Sequence, residues 1–338
     1  YTYDVVQKEL PTATNIKGKL TRVDYPGGRY LFSYNKMGGT LLERKVVMGV
    51  ALDFAFEYSY DNVPVREIFP DGRSIAFQRD GAARPTAIPG YVEAISYHSD
   101  GMLKSWTAGN GIRTEYAYDV RQRHTKIDVG AGKVMTLNLE LDTAGNVNRL
   151  RQQHGDLRFD NTYNYDALYR LTQADLSSNQ ERLSFQQNKL HNLTTKTSSL
   201  EAKSPAHVGE YNFYKDKIHA VSKAGSIALR YDDAGQMTQR GALSMQWDYL
   251  GRCVDAKRDG QTVARYWYGV SRKMEIREEL GKHVFYINKN FEIRDGRGVI
   301  YLLLNQDRVA ALHSSKIVAR FFDDVAPLVD GKPKPDNV

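Results

Sequence analysis

The sequence predicts an all-β chain built from repeated antiparallel β-hairpins. Three observations carry that expectation. A phrase of the form aromatic–any residue–Tyr–Asp returns along most of the chain, as "YSYD" from Tyr58, "YAYD" from Tyr116 and "YNYD" from Tyr163. Composition favours half-buried pleated surface and tight turns: 22 tyrosines against 12 phenylalanines and three tryptophans, and 27 glycines against 10 prolines. Helical spacing of apolar residues is confined to one short stretch near the C-terminus.

The phrases form a ladder with a loose period of about 20 residues from Ile95 onward, the spacing expected of stacked supersecondary units. Its members include "YTYD" at Tyr1, "FSYN" at Phe32, "ISYHSDG" at Ile95, "LELDTAGN" at Leu139, "LSFQQNKLHNLT" at Leu183, "LRYDDAGQM" at Leu229 and "MQWDYLGR" at Met245. On a strand, residues i and i+2 share a face, so Tyr58 and Tyr60, Tyr116 and Tyr118, and Tyr163 and Tyr165 are expected to point together. The following aspartates, Asp61, Asp119, Asp166, Asp232 (after Tyr231) and Asp248 (after Trp247), are expected to accept backbone N–H bonds and close a turn. Gly145, Gly235 and Gly251 stand at one offset within these turns and supply a left-handed backbone angle. Arg252, after Gly251, resumes the chain into the next strand. A lone hairpin is barely stable, so the copies are expected to add edge to edge into a continuous sheet.

The repeat region is expected to span residues 1–313. Its copies are wider and more degenerate over 1–114 and strongest over 115–313. Residues 314–338 are expected to form a last strand or a short helix, "SKIVARFFDDVAPL", followed by a polar, proline-punctuated tail. The first phrase begins at Tyr1 without an initiator methionine, which points to a piece of a longer polypeptide.

Charge and cysteine content narrow the function classes. The formal charge is +7, but 47 basic and 40 acidic residues are interspersed with no dense basic block, so no nucleic-acid partner is expected. The single cysteine, Cys253, rules out an internal disulfide framework and a cysteine-rich zinc site, and is expected to act as a small buried hydrophobe. No apolar run reaches the length of about 18 residues needed for a membrane span.

Sharper chemistry finds little support. The histidines at 98, 124, 154, 191, 207, 219, 283 and 313 form no close pair of metal-ligand spacing, and no metal or cofactor is expected. "DVGAGKVM", from Asp128, lacks the Gly-x4-Gly-Lys-Ser/Thr spacing of a phosphate loop and reads as a turn between strands. An acidic pair for glycoside hydrolysis would be a singular feature, whereas these aspartates recur in every copy, so no catalytic residue is expected. "NLT" at Asn192 is a formal glycosylation sequon without further support. A regular aromatic ladder would suit sugar stacking, but recurrence in nearly every copy favours core packing.

The aromatic–x–Tyr–Asp–x–x–Gly–Arg pattern resembles the YD repeats of bacterial Rhs proteins and of toxin-complex shell components. The segments 217–256 and 285–312 are similar to the late repeats and to the stretch before the C-terminal core of those proteins. The resemblance implies a sheet that spirals into all or part of a hollow shell. It also implies a non-enzymatic structural role in encapsulating and helping to deliver a toxic cargo polypeptide. Implied partners are the remaining YD-repeat shell of the same or a companion polypeptide, the encapsulated toxin or effector, and a secretion or translocation component. Location would be secreted or on the bacterial cell surface, as part of a larger polypeptide. No Asp-Pro-x-Gly type of cleavage motif is present, so no catalytic residue carries over. Related repeats also occur in extracellular contact proteins, which leaves an adhesion or carbohydrate-binding module as the alternative.

Overall fold

The computed structural model describes residues 1–314 except 26, 48, 271, 272, 295, 305 and 306. The expected strand or helix within 315–338 lies outside the described residues. Apart from a single 3-10 turn at Glu201–Lys203, every regular element described is a β-strand. No described helix is long and apolar enough to cross a membrane.

Strands pair in sequence order. Seven, from Thr2–Tyr3 to Ser74–Ala76, form one sheet. Gln78–Arg79 and Pro85–Ala87 make a small ribbon, and the 22 strands from Val92–Tyr97 to Asp307–His313 form a second sheet. Sequence-ordered antiparallel pairing is what a succession of hairpins produces, because each short turn returns the chain beside the strand it has just left. The chain is therefore all-β and hairpin-built, as the repeated phrase predicts.

Two compact units are distinguishable. The first contains residues 1–91, 253–256 and the chain from Gln261, and the second contains 92–252 and 257–260. In the first unit two layers meet. Register places Glu43 opposite Phe54, Lys45 opposite Leu52 and Phe56 opposite Glu67, so these side chains share one face of the N-terminal sheet. Phe54 and Phe69 on that face meet Phe291 edge-on and tilted, with ring centroids 5.7 and 6.2 Å away. Leu31, Phe54, Ile75, Phe291, Ile293 and Ile300 are essentially inaccessible to water.

The second unit shows a different economy of burial. Opposed residues alternate between two faces: Glu140, Arg149, Arg151 and Asp160 on one, Leu139, Leu150, Tyr163, Ala174 and Leu183 on the other. Apart from Ala174, the residues on the apolar side stay half-buried.

Candidate functional site

One polar turn recurs along the described residues. At Asp166 the backbone N–H donates to Arg170 O at 3.0 Å, and the Tyr169 N–H donates back to Asp166 O. Oδ1 of Asp166 accepts the N–H groups of Leu168 and Arg170, while Oδ2 accepts Arg170 Nε at 2.7 Å. Asp119 with Arg123 and Asp248 with Arg252 repeat the arrangement atom for atom. Asp232 keeps the backbone part, accepting Gln236 N–H at 2.8 Å. The paired arginine holds the Asp119, Asp166 and Asp248 carboxyls below the usual carboxylate range. The fourth residue of each loop is left-handed, at φ 80° for Gly235 and 74° for Gly251. Tyr169 and Gln122 occupy the same region without being glycine.

A register shift falls immediately before three of these turns: between Ala117 and Tyr118, Asn164 and Tyr165, and Arg230 and Tyr231. This bulge re-aims the second aromatic of the phrase. Its hydroxyl then reaches a carbonyl at the start of the neighbouring strand. Tyr118 donates to Leu103 O at 2.9 Å, Tyr165 to Val147 O at 3.0 Å and Tyr268 to Cys253 O at 2.8 Å. Gln187 substitutes for tyrosine and donates to Leu171 O at 3.0 Å. Trp247 uses Nε1 to reach Met237 O at 2.8 Å, and Tyr231 hydrogen-bonds to the Val221 backbone. The first aromatic packs rather than bonds inward: Tyr163 lies half-buried opposite Ala174, and Tyr116 receives a bond from Trp106 Nε1.

The "YSYD" copy takes a register different from the one its letters predict. Tyr58, expected as the first aromatic, is the second: its hydroxyl donates to Thr40 O at 2.9 Å, and the register shift lies between Glu57 and Tyr58. Ser59 stands in the aspartate position, with its Oγ accepting Val63 N–H at 3.2 Å. Tyr60 is 99% exposed, and Asp61 lies in the loop, hydrogen-bonded to Ser59. The reason is the face: Phe56 and Tyr58 continue the row of Phe54, so the strand ends at Tyr58 and the next two residues form the tip.

"DVGAGKVM" is a turn between strands His124–Val129 and Met135–Leu141, with Gly132 N–H donating to Asp128 Oδ1. Cys253 is half-buried at a strand start, where burial pushes its thiol up. Among the described residues no three His, Cys, Asp or Glu gather as a metal site would require.

The polar cluster that no local pattern announces lies inside the first unit. Lys45, 1% exposed, places Nζ 2.8 Å from Glu275 Oε1 and donates to Ile287 O at 2.8 Å. Tyr30 donates to the same Glu275 oxygen at 3.0 Å and presents its ring 4.9 Å from Nζ. The Tyr25 hydroxyl is buried beside them without a hydrogen bond of good geometry. Burial, with the Glu275 charge second, pushes both tyrosines far above their ordinary range. Burial lowers Lys45, opposed by Glu275. Gly269 makes room, since a Cβ there would meet Glu275 Oε1 at 2.3 Å. Nearby, Glu67 is 8% exposed and receives Asn290 Nδ2 at 3.2 Å, and burial pushes its carboxyl up to about 7. Neither Lys45 nor Glu67 belongs to a repeated phrase, so neither carries a sequence signal.

Comparison with known proteins follows the same pattern. The sequence profile of the teneurin YD-shell family matches residues 114–294. No curated protein sequence matches the chain significantly. Among solved structures, the Photorhabdus luminescens Tc holotoxin pore is similar with a TM-score of 0.71 and 16% identity, covering 86% of this chain. The TcdB2–TccC3 complex, alone or with Cdc42, is similar to the same degree. At that identity the likeness is one of fold, and this chain spans 18% of the length of each of those chains.

Proposed function

The chain belongs to the teneurin YD-shell family, and on that premise we propose that it is a non-enzymatic wall segment of an Rhs-like β-shell. In this reading the shell encloses a toxic cargo polypeptide and helps deliver it. The remaining wall would come from the rest of a longer polypeptide or from a companion chain, a reading supported by the small share of the similar solved chains that this chain spans. A secretion or translocation component is the further partner, and the whole is exported or displayed on a bacterial surface.

One observation carries the reading. The copies ending at Asp119 and Asp166 close with the same aspartate turn, bulge and side-chain tie to the neighbouring strand, and the copy ending at Tyr268 keeps the bulge and the tie. Such a device extends a sheet indefinitely without ending it, which is what a wall needs and a binding cleft does not. The adhesion reading would need the aromatic ladder free for a ligand, but the hydroxyls of Tyr118, Tyr165 and Tyr268 are committed to backbone carbonyls.

Cryo-electron microscopy of the longer polypeptide purified from its native source tests the proposal. A hollow enclosure with weak interior density is the expected result. A small, solid β-domain complete in itself would overturn it, and glycan binding lost on removal of Tyr60 or Tyr249 would favour adhesion.

A further inference from the structure

The first unit contains a cavity of about 460 Å³ between the strands Thr40–Val47, Val50–Tyr58 and Pro64–Ile68 and residues 288–303. Phe56, Tyr58, Phe77 and Tyr301 supply aromatic walls. Its deeper polar groups are acceptors in excess. Glu67 is more than nine-tenths buried; Oε2 takes the one hydrogen bond from Asn290, and Oε1 takes none. Among the described residues Asn290 Oδ1 is buried with no partner, and none donates a hydrogen bond to the half-buried Glu43 carboxyl.

Among the described residues, the cations within reach pair with neither carboxyl. Lys45 is held by Glu275 and Ile287 O. Arg66 pairs with Glu57 at 3.4 Å, Arg79 donates to Pro64 O and Ala83 O, and Lys289 is exposed. Two carboxyls therefore line a partly open cavity, and among the described residues no cation is hydrogen-bonded or ion-paired to either. Unpaired buried acceptors and charges are costly, and a site that leaves them so is built to receive a donor.

We propose that this cavity is a receptor for the cationic side chain of a polypeptide ligand, a lysine ammonium or an arginine guanidinium. The methylene stem would lie along the aromatic walls, and the charge would meet Glu67 and Glu43. Aromatic faces attract cations, and long basic side chains bury their stems against apolar surface. A neutral sugar would satisfy acceptors but leave the negative charge uncompensated. The raised Glu67 carboxyl is consistent with a missing counter-charge: burial raises it, Glu43 raises it further, and Asn290 and Lys289 only partly oppose. This inference does not depend on the container reading, because it rests on the unrepeated residues of the first unit alone.

The test is calorimetric titration of the full chain with N-acetyl-lysine methylamide and N-acetyl-arginine methylamide. N-acetyl-norleucine methylamide and glucose serve as neutral probes. At pH 8 at least one cationic probe is expected to saturate in the millimolar range while neither neutral probe does. Glu43→Gln and Glu67→Gln are each expected to weaken that binding about tenfold or more. Lowering the pH to 5.5 should weaken it similarly as Glu67 takes up a proton among Glu43, Arg66, Arg79, Lys289, Tyr58 and Tyr301. Variants are judged only where the thermal midpoint matches the parent, and Glu43, which has no hydrogen bond to lose, is the safer of the two. Equal binding of norleucine, binding of glucose in place of the cations, no saturation by either cation, or unchanged affinity in the folded Gln variant would each overturn the proposal.

Discussion

The two units of this chain are made from the same hairpins and stabilised by different physics. In the first unit the N-terminal sheet and the C-terminal strands bury one another, and all the largest fully buried side chains, from Phe54 and Phe291 to Lys45 and Glu292, lie there. Among the described residues, strands of both units make extensive contacts with their sequence neighbours, but the second unit, between Val92 and Arg252, gains little burial beyond them. Its buried apolar residues are few, among them Val92, Ile95, Leu103, Ala174 and Leu229. What that unit has instead is repetition: the Asp166-type turn recurs at Asp119 and Asp248, and Tyr118, Tyr165, Gln187 and Trp247 each tie back to the neighbouring strand. A hydrophobic core stabilises in proportion to the area it removes from water, whereas a ladder of turns adds small, local and nearly independent terms. The comparison teaches that a wall can be extended without a core, provided some region of the molecule has one.

The largest expected difference comes from the buried ion pair. Lys45→Ala leaves Glu275 uncompensated and should cost the first unit about 3–5 kcal/mol, read as faster amide exchange in Thr40–Val47 and Phe291–Arg294. Replacing both partners, Lys45→Met with Glu275→Leu, should recover most of that loss. The exposed Arg149–Asp160 pair of the second unit offers the contrast, and Arg149→Ala should produce no measurable change in exchange.

Truncating the core comes next. Phe291→Ala removes a ring with no exposed surface and should cost about 3–5 kcal/mol in denaturant unfolding of the first unit. The half-buried Phe185 of the second unit should cost distinctly less on the same substitution, because water already reaches it. Equal losses would break the distinction between the units.

Acid should act with opposite sign on Glu67 and on the turn aspartates. Glu67 titrates at about 7 in the folded protein against an ordinary 4.5, so its contribution is fully present below pH 4.5 and is lost as pH rises through 7. Its contribution to the first unit should therefore grow, on the order of 3 kcal/mol, as pH falls from above 7 toward 4.5, and Glu67→Gln should abolish that part of the pH dependence. Asp119, Asp166 and Asp248 are depressed, so their contribution is present above the ordinary aspartate range and is lost as pH falls through their folded values. Unfolding of each unit followed by exchange at pH 8, 5 and 3 checks both signs. The smallest expected effect belongs to one rung of the ladder: Tyr165→Phe deletes the bond to Val147 O and should cost about 1 kcal/mol, confined to the adjoining hairpins.

Much of the second unit is legible in its letters because its determinants are local. Asp166, Leu168 and Arg170 lie within one turn, and the aromatic phrase precedes them by three residues, so a short motif contains the whole device. The same brevity misplaces "YSYD": four letters cannot tell Tyr58 as the last strand residue from Tyr58 as the first aromatic, and only the row begun by Phe54 decides it. The cluster of the first unit is not legible. Lys45 and Glu275 stand in ordinary alternating strands, "TLLERKVV" and "MEIREE", and become a buried pair only when strands far apart in sequence pack together. Glu43, Glu67 and Asn290 are hidden for the same reason, since nothing near any of them in sequence signals that its solvent will be removed.

Hydrogen–deuterium exchange of the intact chain at neutral pH tests the difference between the units most directly. The expected result is slowest exchange in Val50–Tyr58, Phe291–Arg294 and Arg297–Leu304, with His124–Val129 through Leu193–Ser198 opening earlier and each hairpin at its own rate. Uniform protection across both units, or slowest exchange within 124–198, would contradict the account of a cored unit beside a wall held by its turns.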